Sequence, residues 1–582
     1  MATTSITFGD ENDHFSGQAY EDDLIVQMGG GHDFAEAGQG TNLFYLGKGN
    51  DYYAATNTIG GPFDTNPKTS GSSTVYGGEG NDTFDFYNSD GVLHGGLGND
   101  RYIIDGDDHQ VSVVENANEG TDTIEISLWS NDTYHIPQNV ENLQVTDVWY
   151  WGFFSDSWDT TDGKYDHGKA DVGVKIVGNA VDNVITGSDM LDTLQGGEGA
   201  DTLRGGVSAD KLYGENGNDH LQGDHGNDTL SGGAGHDKLY GGAGHDLIDG
   251  GAENDTIDGG SGNDVIHGAA GNDYINGGVG ADTMNGGEGN DTYIVMDATD
   301  VVVEAAGAGT DTVVTRVTSY TLGANVENLT FQGSAAAQGN GNALGNVMRG
   351  SAGADSLNGL DGNDQLFGND GADQLKGGNG DDYANGGNGI DSLHGEAGND
   401  RLYGMGDADY VTGGDGNDTI DGGTGNDNLH GDAGNDSMLG GAGNDLIQGG
   451  SGNDIIRGGE GNDNIYGGLG ADKLYGEVGM DRFCYQSLSE SNTANGRDFI
   501  YGFEQGQDKI DLTWIDANTT LAGNQAFAFT GSGAFFQSPG DLWVSSTLVG
   551  SNVNMDVNGD GLADMSMTVV GVWNLTASDF AL

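Results

Sequence analysis

Residues Gly196–Arg204 read GGEGADTLR and residues Gly259–His267 read GGSGNDVIH. Both follow G-G-x-G-x-D-x-U-x, with U aliphatic, and the frame between them never slips. Stepping by nine from Gly178, the phase holds through Gly286–Ile294, which makes thirteen repeats. A second run steps from Gly341 to GEVGMDRFC, ending at Cys484, for sixteen more. Position 8 supplies the inward side chain: Leu194, Leu203, Leu230, Ile248, Ile266, Leu357, Leu402, Ile447 and Leu474 all occupy it. One apolar residue per nine cannot form a core alone, so each copy must stack on its neighbours. This predicts an all-β parallel β-roll with strands of about three residues, too short to stand without stacking. Three glycines in six residues allow the tight turn between strands and let carbonyl oxygens converge where a β-carbon would obstruct them.

Nearer the N-terminus a ragged array is readable around Asp33 and Asp51, then clearly as GGEGNDTFD from Gly77 and GGLGNDRYI from Gly95. A larger repeat overlies the small one. GTDT recurs at Gly120–Thr123 and Gly309–Thr312, and NVENL at Asn139–Leu143 and Asn325–Leu329. Strand-like runs in these spacers, Val111–Glu115 and Val301–Glu304, read as irregular turns that continue or cap the roll. The organisation expected is a ragged roll at 1–105, a spacer with an aromatic insertion at 106–177, and a roll at 178–294. Spacer turns at 295–340, a roll at 341–484 and a β cap at 485–582 complete it.

Position 6 carries the charge. It is Asp33, Asp51, Asp82 and Asp100 in the first array. The second has Asp192, Asp201, Asp210, Asp219, Asp228, Asp237, Asp246, Asp255, Asp264, Asp273, Asp282 and Asp291. The third has Asp355, Asp364, Asp373, Asp382, Asp391, Asp400, Asp409, Asp418, Asp427, Asp436, Asp445, Asp454, Asp463, Asp472 and Asp481. Stacked bare carboxylates repel, whereas carboxylates and carbonyls together are the hard oxygen donors that calcium takes in sets of six to eight. With 92 acidic against 18 basic residues the formal charge is -74. On the order of 25 calcium ions would cancel about 50 of those charges. Asn183 and Asn346 replace aspartate at the opening of each long array and read as cap turns, while Ser208, Glu253 and Asp407 replace the fourth-position glycine. Weaker binding is expected at both kinds of site.

Such acidity argues against nucleic acid as a partner. No window approaches the roughly 20 apolar residues of a membrane span. Cys484 is the single cysteine, so no intramolecular disulfide can staple the chain. Met1–Asp13 has no basic segment followed by an apolar run, the mark of a cleaved leader.

These nonapeptides resemble the RTX family of Gram-negative secreted proteins, from about Gly29 to Cys484. The resemblance implies a right-handed parallel β-roll with calcium between turns, six residues of each repeat forming the turn and three the strand. DRFCYQSLSES from Asp481, RDFIYGFEQGQDKIDLTWIDAN from Arg497, DVNGDGLAD from Asp556 and the closing ASDFAL are similar to the C-terminal domain of serralysin-type metalloproteases. That implies a cap carrying an uncleaved type I secretion signal and export by the three-component type I machinery. HExxH is absent, so protease activity does not carry over, and no G-x-S-x-G elbow supports a lipase. His236 and His245 at position 5, and His267, His394 and His430 at position 9, read as occupants of variable slots.

Two segments stand outside the repeat. Trp149–His167, WYWGFFSDSWDTTDGKYDH, is a loop that either docks a glycan or protein or packs on itself over the roll's edge. DVNGDGLAD sets Asp556, Asn558 and Asp560 as in an EF-hand loop, but has Met567 where that loop needs glutamate, and a hairpin turn explains it as well. The function expected is a secreted, non-enzymatic, calcium-dependent surface-layer, matrix or adhesin protein, its partner a calcium-dependent lattice of its own copies or a cell-surface glycan. The alternative is an exoenzyme whose site lies in the first 177 residues, where Glu115, Glu141 and Asp156 are available acids.

Overall fold

The computed structural model describes residues 4–16, 24–37, 42–56, 72–87, 90–105, 111–129, 132–149, 157–158, 165–166, 173–492, 496–518, 523–532 and 538–582. Among these the chain is a parallel β-solenoid with one 3-10 turn, Ala577–Asp579, and no α-helix. Among the described residues no helix is long and apolar enough to cross a membrane. Two compact units, Met1–Val303 and Glu304–Leu582, divide the chain.

In the first unit successive strands alternate between two faces. Thr133–His135, Lys175–Val177, Thr193–Glu198, Lys211–Asn216 and their successors to Val301–Val302 make a nine-stranded sheet. Val184–Thr186, Thr202–Gly206, His220–His225 and theirs lie on the other face. Two nonapeptides complete a turn, so partners differ by 18: Leu194 faces Leu212 on one side and Leu203 faces Leu221 on the other. The position-8 side chains Leu194, Leu203, Leu212, Leu221, Ile248 and Ile266 are fully buried between the sheets. Each contributes about 1.5–3 kcal/mol of transfer free energy, available only once its neighbours are in place.

The strands are longer than the sequence suggests. Lys211–Asn216 spans six residues, positions 7 to 9 of one repeat and 1 to 3 of the next. Pairing is skipped at position 1 and resumes: Gln195 with Tyr213, then Gly197 with Glu215. Position 2 makes this possible by taking the left-handed region, at φ 111° for Gly197 and 77° for Glu215. The repeat predicts a three-residue strand because glycine-rich turns do not usually pair; here the kink at position 2 swings the chain back into the ladder.

The second unit repeats the plan. Its twelve-stranded sheet runs from Ser319–Thr321 through alternate strands to Asn464–Leu469, then takes in Arg482–Cys484, Lys509–Asp511 and Phe580–Ala581. Beyond the repeats, Asp541–Ser546, Gly550–Asp556 and Met565–Val570 form an antiparallel meander. Its last strand lies parallel on Phe499–Tyr501, with Val553, Met555, Met565, Met567 and Val569 buried beneath. The aromatic segment Trp149–His167 falls outside the described residues, apart from its first backbone position and the short antiparallel pair Ser157–Trp158 with Tyr165–Asp166.

Candidate metal centres

Every predicted position-6 aspartate is buried, none more than 3% exposed. They form columns along the solenoid, one residue per turn. From Asp192 to Asp282 and from Asp355 to Asp463, the backbone N–H of each donates to Oδ1 of the aspartate 18 residues on: Asp192 to Asp210 at 2.7 Å, Asp210 to Asp228 at 2.7 Å, Asp382 to Asp400 at 2.8 Å. That bond fixes the carboxylate's orientation and turns Oδ2 inward. From Asp201 to Asp282 and from Asp364 to Asp481, Oδ2 is buried and has no hydrogen-bond partner.

In the two long arrays position 1 is always glycine, and the reason is steric. A β-carbon on Gly241 would lie 2.5 Å from Asp246 Oδ2 and 2.6 Å from the carbonyl oxygen of Gly259, one turn on. The space beside each glycine is where an inward carboxylate oxygen and a carbonyl oxygen meet. Two or more converging oxygens, one of them anionic and unsatisfied, suit a hard divalent cation. Without one, burial raises the aspartate pKa values from the ordinary carboxylate range: Asp364 to about 6, Asp82 and Asp454 to about 7, Asp210 and Asp255 to about 8. Neighbouring aspartates in the column push Asp210 and Asp255 further in the same direction.

The columns do not stop where the nonapeptides do. Asp13 N–H donates to Asp33 Oδ1, and Asp100 N–H to Asp122 Oδ1. At the other end Asp472 and Asp481 donate to Asp498 and Asp508, both at 3.0 Å. Sequence reasoning missed these four because the spacing stretches from 18 to 20, 22, 26 and 27 residues and the double glycine disappears. The signal was an aspartate just before each strand.

Each NVENL motif serves the columns of its own unit. Asp122 N–H donates to Glu141 Oε2 and Asp311 N–H to Glu327 Oε2, each at 2.8 Å, so the glutamate takes an aspartate's place. Asn183 and Asn346 then close the spacer, their amides donating to the carbonyls of Val140 and Glu141, and of Val326 and Glu327. An aspartate could not donate. Asn183→Asp and Asn346→Asp should each cost about 2 kcal/mol through lost bonds and a carboxylate set against carbonyls. A lower thermal midpoint in saturating calcium checks this; a higher one would mean that the position takes an ion instead. The first aspartate after each cap also differs: Asp192 Oδ2 accepts from Ser188 N–H at 2.6 Å, and Asp355 Oδ2 from Ser351 N–H at 2.5 Å.

Glu253 and Asp407 adopt φ of 76° and 69° at the turn position usually held by glycine. His236 and His245 lie in an exposed ladder in which position 5 accepts from the N–H of position 5 one turn on; His245 Nδ1 accepts from Asn263 at 2.7 Å, as Asn417 Oδ1 does from Asn435 at 2.8 Å. In DVNGDGLAD the acidic groups turn on their own loop: Asp556 accepts from Gly559 and Gly561, Asp564 from Val557.

The sequence profile described as the RTX calcium-binding nonapeptide repeat matches residues 29–55, 69–93, 186–221, 222–257, 258–293, 340–375, 376–411, 412–447 and 448–482, more than half of the chain. The chain belongs to this family. As an RTX protein it is a calcium-binding repeat protein, and the matched segments are the turns that carry the carboxylate columns. The RTX assignment also covers the ragged repeats around Asp33 and Asp51. Comparison with curated proteins gives no match.

Proposed function

We propose that this RTX protein is secreted and folds on export, when calcium reaches the aspartate columns, and that it serves outside the cell as a non-enzymatic surface-layer, matrix or adhesin protein. The reading is carried by the rows of buried Oδ2 atoms without partners. The position-6 aspartates of the three arrays would hold the ions, on the order of 25 in all, together with the position-1 carbonyls. Bound calcium supplies the positive charge that lets adjacent turns approach. At cytosolic calcium, sites with dissociation constants of roughly 10⁻⁴–10⁻³ M stay empty, which leaves a chain able to thread a narrow channel. RTX proteins are typically exported by type I machinery, and the region after Cys484, with its likeness to serralysin-type C-terminal domains, is the candidate address.

The extracellular role is tested by electron microscopy of washed cells before and after chelator. A regular coat that sheds into the medium, carrying this chain, is the expected result. A chain found free in the medium before chelation would overturn the surface role.

A further inference from the structure

The first array ends in a turn that is not a nonapeptide, and this turn carries an acid where the repeats from Gly77 and Gly95, and all those of the two long arrays, have glycine. Val111–Val114 pairs with Gly91–His94, which brings Glu115 into register with Gly95, a position-1 glycine. Beside an ordinary position-1 glycine stand the aspartate Oδ2 of its own repeat and the carbonyl oxygen of the next turn. Beside Gly95 stand Asp100 Oδ2, the Glu115 carboxylate and the Tyr102 hydroxyl. The glutamate side chain therefore supplies the oxygen that a following repeat would have supplied from its backbone.

We propose that Asp100, Glu115 and Asp122 form a terminal cation site of their own, with three carboxylates where a pair of repeats offers two, and that it binds calcium or a trivalent lanthanide more tightly than the repeats do. Ligand atoms from all three lie within 4.8 Å of one another, the span that oxygens at roughly 2.4 Å from one ion can reach. The three side chains are buried, at 1%, 6% and 1% exposed. Asp100 Oδ2 and Glu115 Oε2 have no hydrogen-bond partner. The rest of the site is already oriented. Asp122 Oδ1 accepts from Asp100 N–H at 2.8 Å, Tyr102 donates its hydroxyl to Glu115 Oε1, and Asn139 Nδ2 holds the Glu115 carbonyl at 3.0 Å. Tyr102 fills the position-8 slot usually given to an aliphatic residue, which suits a side chain whose tip must reach an acid. The same residue types recur in order as Asp291, Tyr293, Glu304 and Asp311.

The proposal rests on the calcium-binding reading of the chain but fails separately from it. Terbium is added in small equivalents to the full, calcium-folded protein and read by luminescence, excited both directly and through tyrosine. The wild type should show a tight class of terbium sites that fills before the repeats exchange. Glu115→Gln should lose one tight equivalent, or weaken it at least tenfold, while calcium-induced folding by circular dichroism persists. Tyr102→Phe should keep that equivalent under direct excitation and lose its tyrosine-sensitised emission. Identical terbium curves for Glu115→Gln and wild type, with calcium folding intact, would overturn the terminal site alone. Absence of any calcium-induced folding in the wild type would overturn the parent reading.

Discussion

In excess chelator at about pH 8 the protein should lose nearly all of its far-UV strand signal, and acidification should restore it without calcium. The position-6 aspartates of the folded, ion-free chain have pKa values raised to about 6 for Asp364 and Asp445, about 7 for Asp382 and about 8 for Asp255. Unfolded, they titrate near 3.8. A folded-state pKa above the unfolded one means that the fold binds protons more tightly. The stabilisation is complete below pH 3.8 and is lost as pH rises through about 6 to about 8. An aspartate held at about 6, as Asp364 is, costs the folded state about 3 kcal/mol once it is ionised. Tens of such groups outweigh the roughly 5–15 kcal/mol by which a domain is usually stable. Calcium removes the cost by giving each carboxylate a positive partner. A calcium titration at about pH 8 should therefore bring the strand signal back in one steep transition, and an acid titration in chelator should do so between about pH 8 and 4. A strand signal indifferent to chelator at the higher pH would remove the electrostatic basis of the fold.

The second large effect is expected from a single methyl group. Gly422 is a position-1 glycine at which a β-carbon would sit 2.5 Å from Asp427 Oδ2 and 2.6 Å from the Gly440 carbonyl oxygen. Its backbone is not in the left-handed region, whereas its neighbour Gly423 has φ 98°. Gly422→Ala thus changes only the space in which the oxygens converge, while Gly423→Ala adds backbone strain and drives its β-carbon into the Met405 carbonyl. We expect Gly422→Ala to cost about 3 kcal/mol and to empty the local cation position. Because each turn touches only its neighbours, the damage should stay local: hydrogen exchange should quicken in the strands Thr419–Thr424 and Ser437–Ala442 and remain slow in Gln365–Asp370. Uniform quickening across the second unit, or none, would contradict the local-site account.

The nonapeptide phase made the parallel β-solenoid, the buried position-8 column and the buried position-6 column legible, because each depends on a residue type at a fixed step. Strand length was not legible, since it turns on the left-handed backbone of position 2, which glutamate adopts at 215 and 396 as readily as glycine does at 197. Asp122, Asp498 and Asp508 escaped notice because their loops lengthen while their strands stay in register, and register is a property of the ladder rather than of sequence spacing. Glu115 was visible only as a scattered acid. Its meaning appears when pairing sets it opposite Gly95.

Within the two long nonapeptide arrays partners keep a constant offset of 18 residues, as in Leu402 with Ile420, and this has a mechanical consequence. Tension applied along such an array would peel it one coil at a time, each rupture releasing the same contour length, roughly 60 Å. Such a chain yields like a ratchet, in equal increments, and a coil re-forms as soon as slack and calcium return.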